Sequence, residues 1–300
     1  MNSLSIPPIF DRPFQTPMPP VISDQEIIEY YDQSYKDYQI VWHVNSRMSM
    51  HYGYWDETTT WLRQALTNMN RKLADIAGIQ SHHRVLDAGC GVGGSSIFLA
   101  KEIGCEVTGI TLSNEQVKKA KLNAEKYKVT DKTNFQVANF TSTPFEDNSF
   151  DVVWCIESVC HANEKSDFLK EAFRILKKDG TLIVADFYRT EKDPSLDSNQ
   201  WMKKWATAWA IPDFEKLSSF ESKAFQNGFS SVNNIDITQP IYPTAKRLYH
   251  CLVPGIICDG FLRLFGRRTK WNKDNVWSTL YQYRALQERF WDYRVVKAIK

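Results

Sequence analysis

Val85-Leu-Asp-Ala-Gly-Cys-Gly-Val-Gly-Gly94 is the stretch whose reading decides the fold of this 300-residue chain. A short apolar run ends in Asp87, a glycine-rich turn follows, and Ser95-Ser-Ile-Phe-Leu-Ala-Lys101 reads as a helix. Strand, glycine turn and helix in that order place backbone N–H groups where a small anionic or zwitterionic ligand can touch them. Gly89, Gly91 and Gly94 satisfy G-x-G-x-x-G, a weak fingerprint of dinucleotide binding. Two residues argue against that ligand. Asp87 would repel a pyrophosphate but hold an ammonium group. The next strand, Glu106-Val-Thr-Gly-Ile-Thr-Leu112, ends with Thr111 where the fingerprint wants an acid.

Working outward, strands and helices alternate. Before the turn, Trp61 to Ile79 carries apolar residues at 62, 65, 66, 69, 73, 76 and 77, one stripe of an amphipathic helix. After it, Glu106–Leu112 reads as a strand, and Ser113-Asn-Glu-Gln116 as a capping box opening a helix to about Tyr127. Asn134–Ala138 and Phe150–Ile156 read as strands. Lys165–Leu176 reads as a helix ended by Lys177-Lys-Asp-Gly180, and Thr181–Phe187 as the next strand. The pattern predicts an α/β fold with a doubly wound, mostly parallel sheet. Its ligand then sits outside the carboxyl ends of the strands, at the point where strand order reverses.

The two ends of the chain read differently. Residues 1–22 hold six prolines and read as a flexible arm. Residues 23–80 open on the capping box Ser23-Asp-Gln-Glu26 and read as a helical lid with its aromatic series Tyr30, Tyr31, Tyr35, Tyr38 and Trp42, followed by the first helix of the core. Residues 81–190 form the ligand-binding core. Residues 191–300 read as a cap insertion, marked by Trp201, Trp205 and Trp209 at helical spacing, then the last helix (Ser219–Asn227) and sixth strand (Val232–Ile237), then an aromatic, basic tail. Aromatic stripes of this kind are core as readily as ligand contacts.

Lys and Arg number 37 against 35 Asp and Glu, a net charge of +2, which points away from a dedicated nucleic-acid binder. Residues 246–300 alone hold twelve Lys/Arg and four Asp/Glu, a local excess that suits an anionic substrate or a membrane surface. The six cysteines, at 90, 105, 155, 160, 251 and 258, show no zinc spacing and read as reduced thiols of a cytoplasmic protein. No secretory leader and no run of about 18 apolar residues is visible.

VLDAGCGVGG (85–94), GITLSNEQ (109–116), FDVVWCIESVCHA (150–162) and LKKDGTLIVADF (176–187) together resemble the class I S-adenosylmethionine (SAM) methyltransferases, over residues 25 to about 190. The GITLS-x-x-Q and IES-x-CH pieces are most similar to the sterol, tocopherol and cyclopropane-forming branch, whose members act on lipid-like small molecules. The resemblance implies a cofactor site at His51, Asp87, Ala88, Gly89, Gly91, Thr111, Leu112, Gln116, Asn139, Phe140 and Cys155. Asp87 holds the ammonium, Thr111 and Gln116 stand in for the usual ribose-binding acid, and the Asn139 carbonyl accepts from the adenine amino group.

Glu157 and His161 are the expected catalytic pair, four apart on one side of a turn, with the carboxylate raising the basicity of the imidazole and fixing its tautomer. Tyr30, Tyr31, Tyr54, Trp55, Trp205 and Trp209 are the expected substrate contacts. The implied reaction is methyl transfer to a hydrophobic small molecule, C-methylation of an isoprenoid or sterol, with O- or N-methylation of a phenol, quinol or amine as the alternative. SAM is then the cosubstrate and S-adenosylhomocysteine the product. No metal site is visible, and Mg²⁺ enters only if the substrate is a diphosphate meeting Arg267-Arg268-Thr-Lys270. Peripheral membrane contact and a homo-oligomer stay open.

Overall fold

The computed structural model describes residues 19–42 and 44–300. The first 18 residues of the expected flexible arm lie outside the described residues.

In chain order the elements are α1 (Asp24–Val41), α2 (Val44–Arg47), α3 (Leu62–Ala77), β1 (Arg84–Ala88), α4 (Gly94–Phe98), β2 (Glu106–Thr111), α5 (Asn114–Tyr127), β3 (Thr133–Val137), β4 (Phe150–Ile156), α6 (Lys165–Ile175) and β5 (Leu176–Arg189). There follow α7 (Trp201–Ala208), α8 (Leu217–Gln226), β6 (Ser231–Asp236), α9 (Thr238–His250), α10 (Leu252–Arg263), α11 (Lys270–Gln287) and β7 (Trp291–Ile299). The strands form one sheet in the order β3-β2-β1-β4-β5-β7-β6. The first five are parallel, and β7 runs antiparallel to both β5 and β6.

This is the expected doubly wound, mostly parallel sheet. Central strands read as near-continuous apolar runs because helices cover both faces. Val152, Val153, Trp154 and Cys155 are accordingly all buried. The strand order reverses between β1 and β4, which places the glycine turn after β1 at the switch point.

Three local expectations are corrected. The Lys177–Gly180 run is not a helix end. The chain passes from α6 directly into β5, and the pairing with β4 jumps from Phe150↔Leu176 to Val152↔Thr181. The bulge absorbs the run, with Asp179 at φ 61° and Gly180 where a Cβ would lie 2.8 Å from the Lys177 carbonyl oxygen. The helix after the glycine turn is short and continues as a π-helical segment, Leu99–Ile103. The tail, read only as aromatic and basic, contains a strand: β7 enters the sheet between β5 and β6.

Candidate active site

A cleft of about 220 Å³ opens at the carboxyl ends of β1, β2, β3 and β4. Its floor includes Asp87, Gly89 and Gly91 after β1, Thr111 and Leu112 at β2, Asn139 and Phe140 after β3, and Glu157 and His161 after β4. Its roof is α1, through Asp24, Ile27, Ile28 and Tyr31, with the segment Met48–His51 closing one side.

Asp87 is 3% exposed and accepts a hydrogen bond from the Ser96 hydroxyl at 2.6 Å. Burial raises its pKa to about 6. A carboxyl so desolvated is stabilised by a cationic ligand. His51 donates from Nδ1 to the Tyr52 carbonyl at 2.8 Å, which leaves Nε2 as a buried acceptor with no protein partner among the described residues. Burial lowers its pKa to about 4, so the ring is neutral. The glycines serve more than a ligand. Gly89 has φ +98°, and a Cβ there would lie 2.4 Å from the Ser158 Cβ; at Gly94 it would lie 2.1 Å from the Met48 carbonyl oxygen. They let the loop after β4 and the lid segment close on the turn.

The Thr111 hydroxyl donates to the Gln116 carbonyl oxygen at 2.5 Å, and Ser113 caps α5 by accepting from the Gln116 N–H at 3.2 Å. The full capping box does not form, because the Gln116 side chain turns to Thr111 instead. The Asn139 carbonyl oxygen is already taken, by the Thr141 N–H at 2.9 Å and hydroxyl at 2.8 Å, while its amide donates to Asp24 at 2.9 Å. The acceptor with lone pairs to spare at this end of the cleft is therefore the Asp24 carboxylate, although both its oxygens meet the Asn139 amide; sequence reasoning saw Asp24 only as part of a helix cap.

Glu157 and His161 both face the cleft, but they are not hydrogen-bonded to each other. Glu157 has φ 50°, an uncommon conformation for a residue with a side chain. Its carboxyl accepts from the Tyr52 N–H and the Tyr293 hydroxyl, both at 2.7 Å, and burial raises its pKa to about 8. His161 sits in a 3₁₀ turn (Val159–His161), donates from Nδ1 to the Ala210 carbonyl at 3.2 Å and meets the Tyr31 hydroxyl through Nε2 at 2.9 Å. A carbonyl can only accept, so Nδ1 carries the proton and Nε2 accepts from Tyr31. The backbone fixes the tautomer, a task expected of Glu157. Burial lowers the histidine to a pKa of about 4. The buried Lys165 holds this turn through the carbonyls of Cys160 at 3.0 Å and Ala162 at 2.6 Å, a role with no sequence signal beyond its place at the start of α6.

Several expected site residues lie elsewhere. Cys155 is fully buried in the core on one face of the sheet, and Ala88 meets the site only through its carbonyl, which accepts from the Ser158 hydroxyl at 2.7 Å. Of the expected substrate aromatics, only Tyr31 lines the cleft. Tyr30 is 1% exposed and bonded to Tyr38. Tyr54 is fastened to α3 through its N–H, and Trp55 to Thr244 through its indole N–H at 2.9 Å. Trp205 is fully buried against Phe187, Phe214 and Trp291, and Trp209 packs on Phe187 and donates to Ser278. The helical spacing of these tryptophans marks a core stripe. Arg268 is held between Asp37 and Asp259 with 6% of its side chain exposed, so it is not available to a diphosphate. Among the described residues, no group of three His, Cys, Asp or Glu is placed to hold a metal ion.

Residues 86–184 match the family described as a methyltransferase domain. The chain is similar to 2-methyl-6-phytyl-1,4-hydroquinone methyltransferase of Synechocystis, 39% identical over 53% of this chain and 51% of the relative. It is similar to sterol 24-C-methyltransferase of Saccharomyces cerevisiae, 41% identical over 40% of this chain and 31% of the relative. The chain thus spans about half or less of the length of these curated relatives. The cyclopropane synthase MmaA2 of Mycobacterium tuberculosis shares the fold, with a TM-score of 0.78 at 16% identity over 95% of this chain and all of that one.

Proposed function

We propose, from the match of residues 86–184 to the methyltransferase-domain family, that the protein transfers the methyl group of SAM to an alkene carbon of an apolar isoprenoid- or sterol-type molecule. The cleft's polar groups fit the cofactor. Asp87 would take the ammonium, Thr111 and Gln116 the ribose, and Asp24 the adenine amino group, while the unpartnered His51 Nε2 offers one further acceptor. When bound, the cofactor supplies an electrophilic methyl on a sulfonium.

The observation that carries the choice of carbon over oxygen is the weakness of the base. His161 is neutral with a pKa of about 4. A phenol of ordinary acidity, near pKa 10, would lose its proton to such a base at a cost of about 8 kcal/mol. An alkene needs no base before attack, and the carbocation left by methylation is acidic enough to give a proton to a base this weak. Tyr31, which lines the cleft, would offer that charge an aromatic ring, an interaction of about 0.5–2 kcal/mol. Glu157, largely protonated at neutral pH, keeps a second anion away from the centre. Similarity to proteins named for a sterol and a phytyl hydroquinone supports the apolar substrate class.

Among the described residues, no helix is long and apolar enough to cross a membrane. We place the protein at a membrane surface through α10, on the cytoplasmic side, where its six free thiols stay reduced.

The test is turnover with SAM against prenyl chains, sterols, quinols and amines, read by mass and by the NMR position of the new methyl. A methyl on carbon of a prenyl or sterol skeleton is the expected product. Methylation confined to the oxygen of quinols, or to amines, overturns the carbon assignment.

A further inference from the structure

A second cavity, of about 280 Å³, lies between α1, α9, α10 and α11. Most of its wall is apolar, with Val41, Trp42, Leu248, Pro254 and Val276 among the lining residues. Met50 lines both this cavity and the cleft, so the two meet at its side chain.

Two nitrogen atoms in this wall lack a partner among the described residues. Arg247 spends Nη2 on the Val41 carbonyl at 2.7 Å, while its buried Nη1 has no acceptor. Gln282 is fully buried; its carbonyl oxygen accepts from the Tyr52 hydroxyl, and its Nε2 has no acceptor. No carboxylate pairs with Arg247 among the described residues, in contrast to Arg268, which lines the same cavity and has two, Asp37 and Asp259. A buried donor left unmade is costly, and a guanidinium without an anion more so. The other charges in the wall, Asp37 and Arg268, are paired with each other, so the uncompensated groups are one cation and one amide donor among apolar side chains.

We infer that this cavity binds the anionic head of an amphiphile, a carboxylate or a phosphate, through Arg247 Nη1 and Gln282 Nε2, with the apolar body passing Met50 toward the cleft. This deepens the methyl-transfer reading, on which it rests, by naming the substrate as an anionic rather than a neutral lipid-like molecule.

Calorimetric titration of the full chain with octyl phosphate, octanoate and octanol tests it without turnover. One of the two anions should bind about 10-fold or more tighter than octanol, the contribution of a charged hydrogen bond. Which anion binds tighter identifies the head. In Arg247→Met the gap should close while SAM affinity holds, which also shows that the variant is folded. Equal affinity for all three probes, no binding of any, or a gap retained in Arg247→Met overturns the proposal. Those results would leave methyl transfer standing, and failure of turnover would leave the binding result standing.

Discussion

Glu157 ends β4 in a strained conformation with its carboxyl removed from water, and this has a measurable consequence for stability. In the unfolded chain the group ionises near pH 4.5; in the folded chain it holds its proton to about 8. A raised folded pKa stabilises the protein below the unfolded value, and that stability is lost as pH rises toward the folded value. The buried acids Asp87 and Asp186, at about 6, titrate just below this range, and the buried histidines 51 and 161, at about 4 when folded, take up protons on unfolding below about pH 7.5, with the opposite sign. The share that belongs to Glu157 is therefore the difference between wild type and Glu157→Gln, roughly 1 kcal/mol lost per pH unit between pH 6.5 and 7.5. Denaturant midpoints across that range should fall with pH more steeply for wild type than for Glu157→Gln; parallel curves for the two would contradict the buried acid. The residues that face the cleft from strand ends were legible in the sequence because the fold dictates where ligands sit. The pairing among them was not. Spacing put Glu157 beside His161, yet their partners are Tyr293 and Tyr31, contributed by the last strand and the first helix, 136 and 130 residues away.

At the scale of elements, helices with one apolar stripe were legible with their boundaries, as α3 and α5 illustrate, because burial of one face repeats every turn. Trp205 shows the limit of that reading: the stripe says which face is buried, not whether a protein core or a ligand buries it. α10 fails the pattern in the other direction. Val253, Ile257 and Phe261 within it, and Leu264 and Phe265 just beyond, are all exposed, and only Asp259 is buried. Exposed Arg263, paired with Asp259, and exposed Arg267, Lys270 and Lys273 follow along the same stretch of chain. Apolar contact flanked by positive charge matches an anionic bilayer surface. The protein should sediment with vesicles containing phosphatidylglycerol and much less with phosphatidylcholine alone, and salt should weaken binding. Replacing both Ile257 and Phe261 with Asp should reduce partitioning about 10-fold or more, since each buried side chain contributes roughly 1.5–3 kcal/mol. Wild-type protein that stays in the supernatant with anionic vesicles would rule the surface out.

On the scale of the whole molecule, the last strand is the piece that joins fold to site. β7 pairs with β5 from Thr181↔Ile299 to Arg189↔Trp291 and with β6 on its other edge, so the final residues of the chain lie inside the sheet. No local signal announced this. Its alternation is buried on both faces in part, its tryptophan and tyrosines resemble the aromatic helices before it, and its partner β5 lies more than 100 residues earlier in the chain. Long-range pairing of this kind is written in the register of two distant segments and not in either one. The consequence is that tryptophans of equal size should differ sharply in weight. Trp291, with no exposed surface, meets Tyr52, Phe187 and Trp205 and donates to the Gln282 carbonyl at 2.9 Å. Its removal as Trp291→Ala opens a cavity and strands a carbonyl, at a cost of about 3–5 kcal/mol, or a fall of roughly 10 °C in melting temperature. Trp61→Ala, at a side chain 72% exposed, should move the melting temperature by about 1 °C or less. If the two variants melt together, β7 is not the closing strand of the core, and the bond from Tyr293 to Glu157 loses the support that holds the site's acid in place.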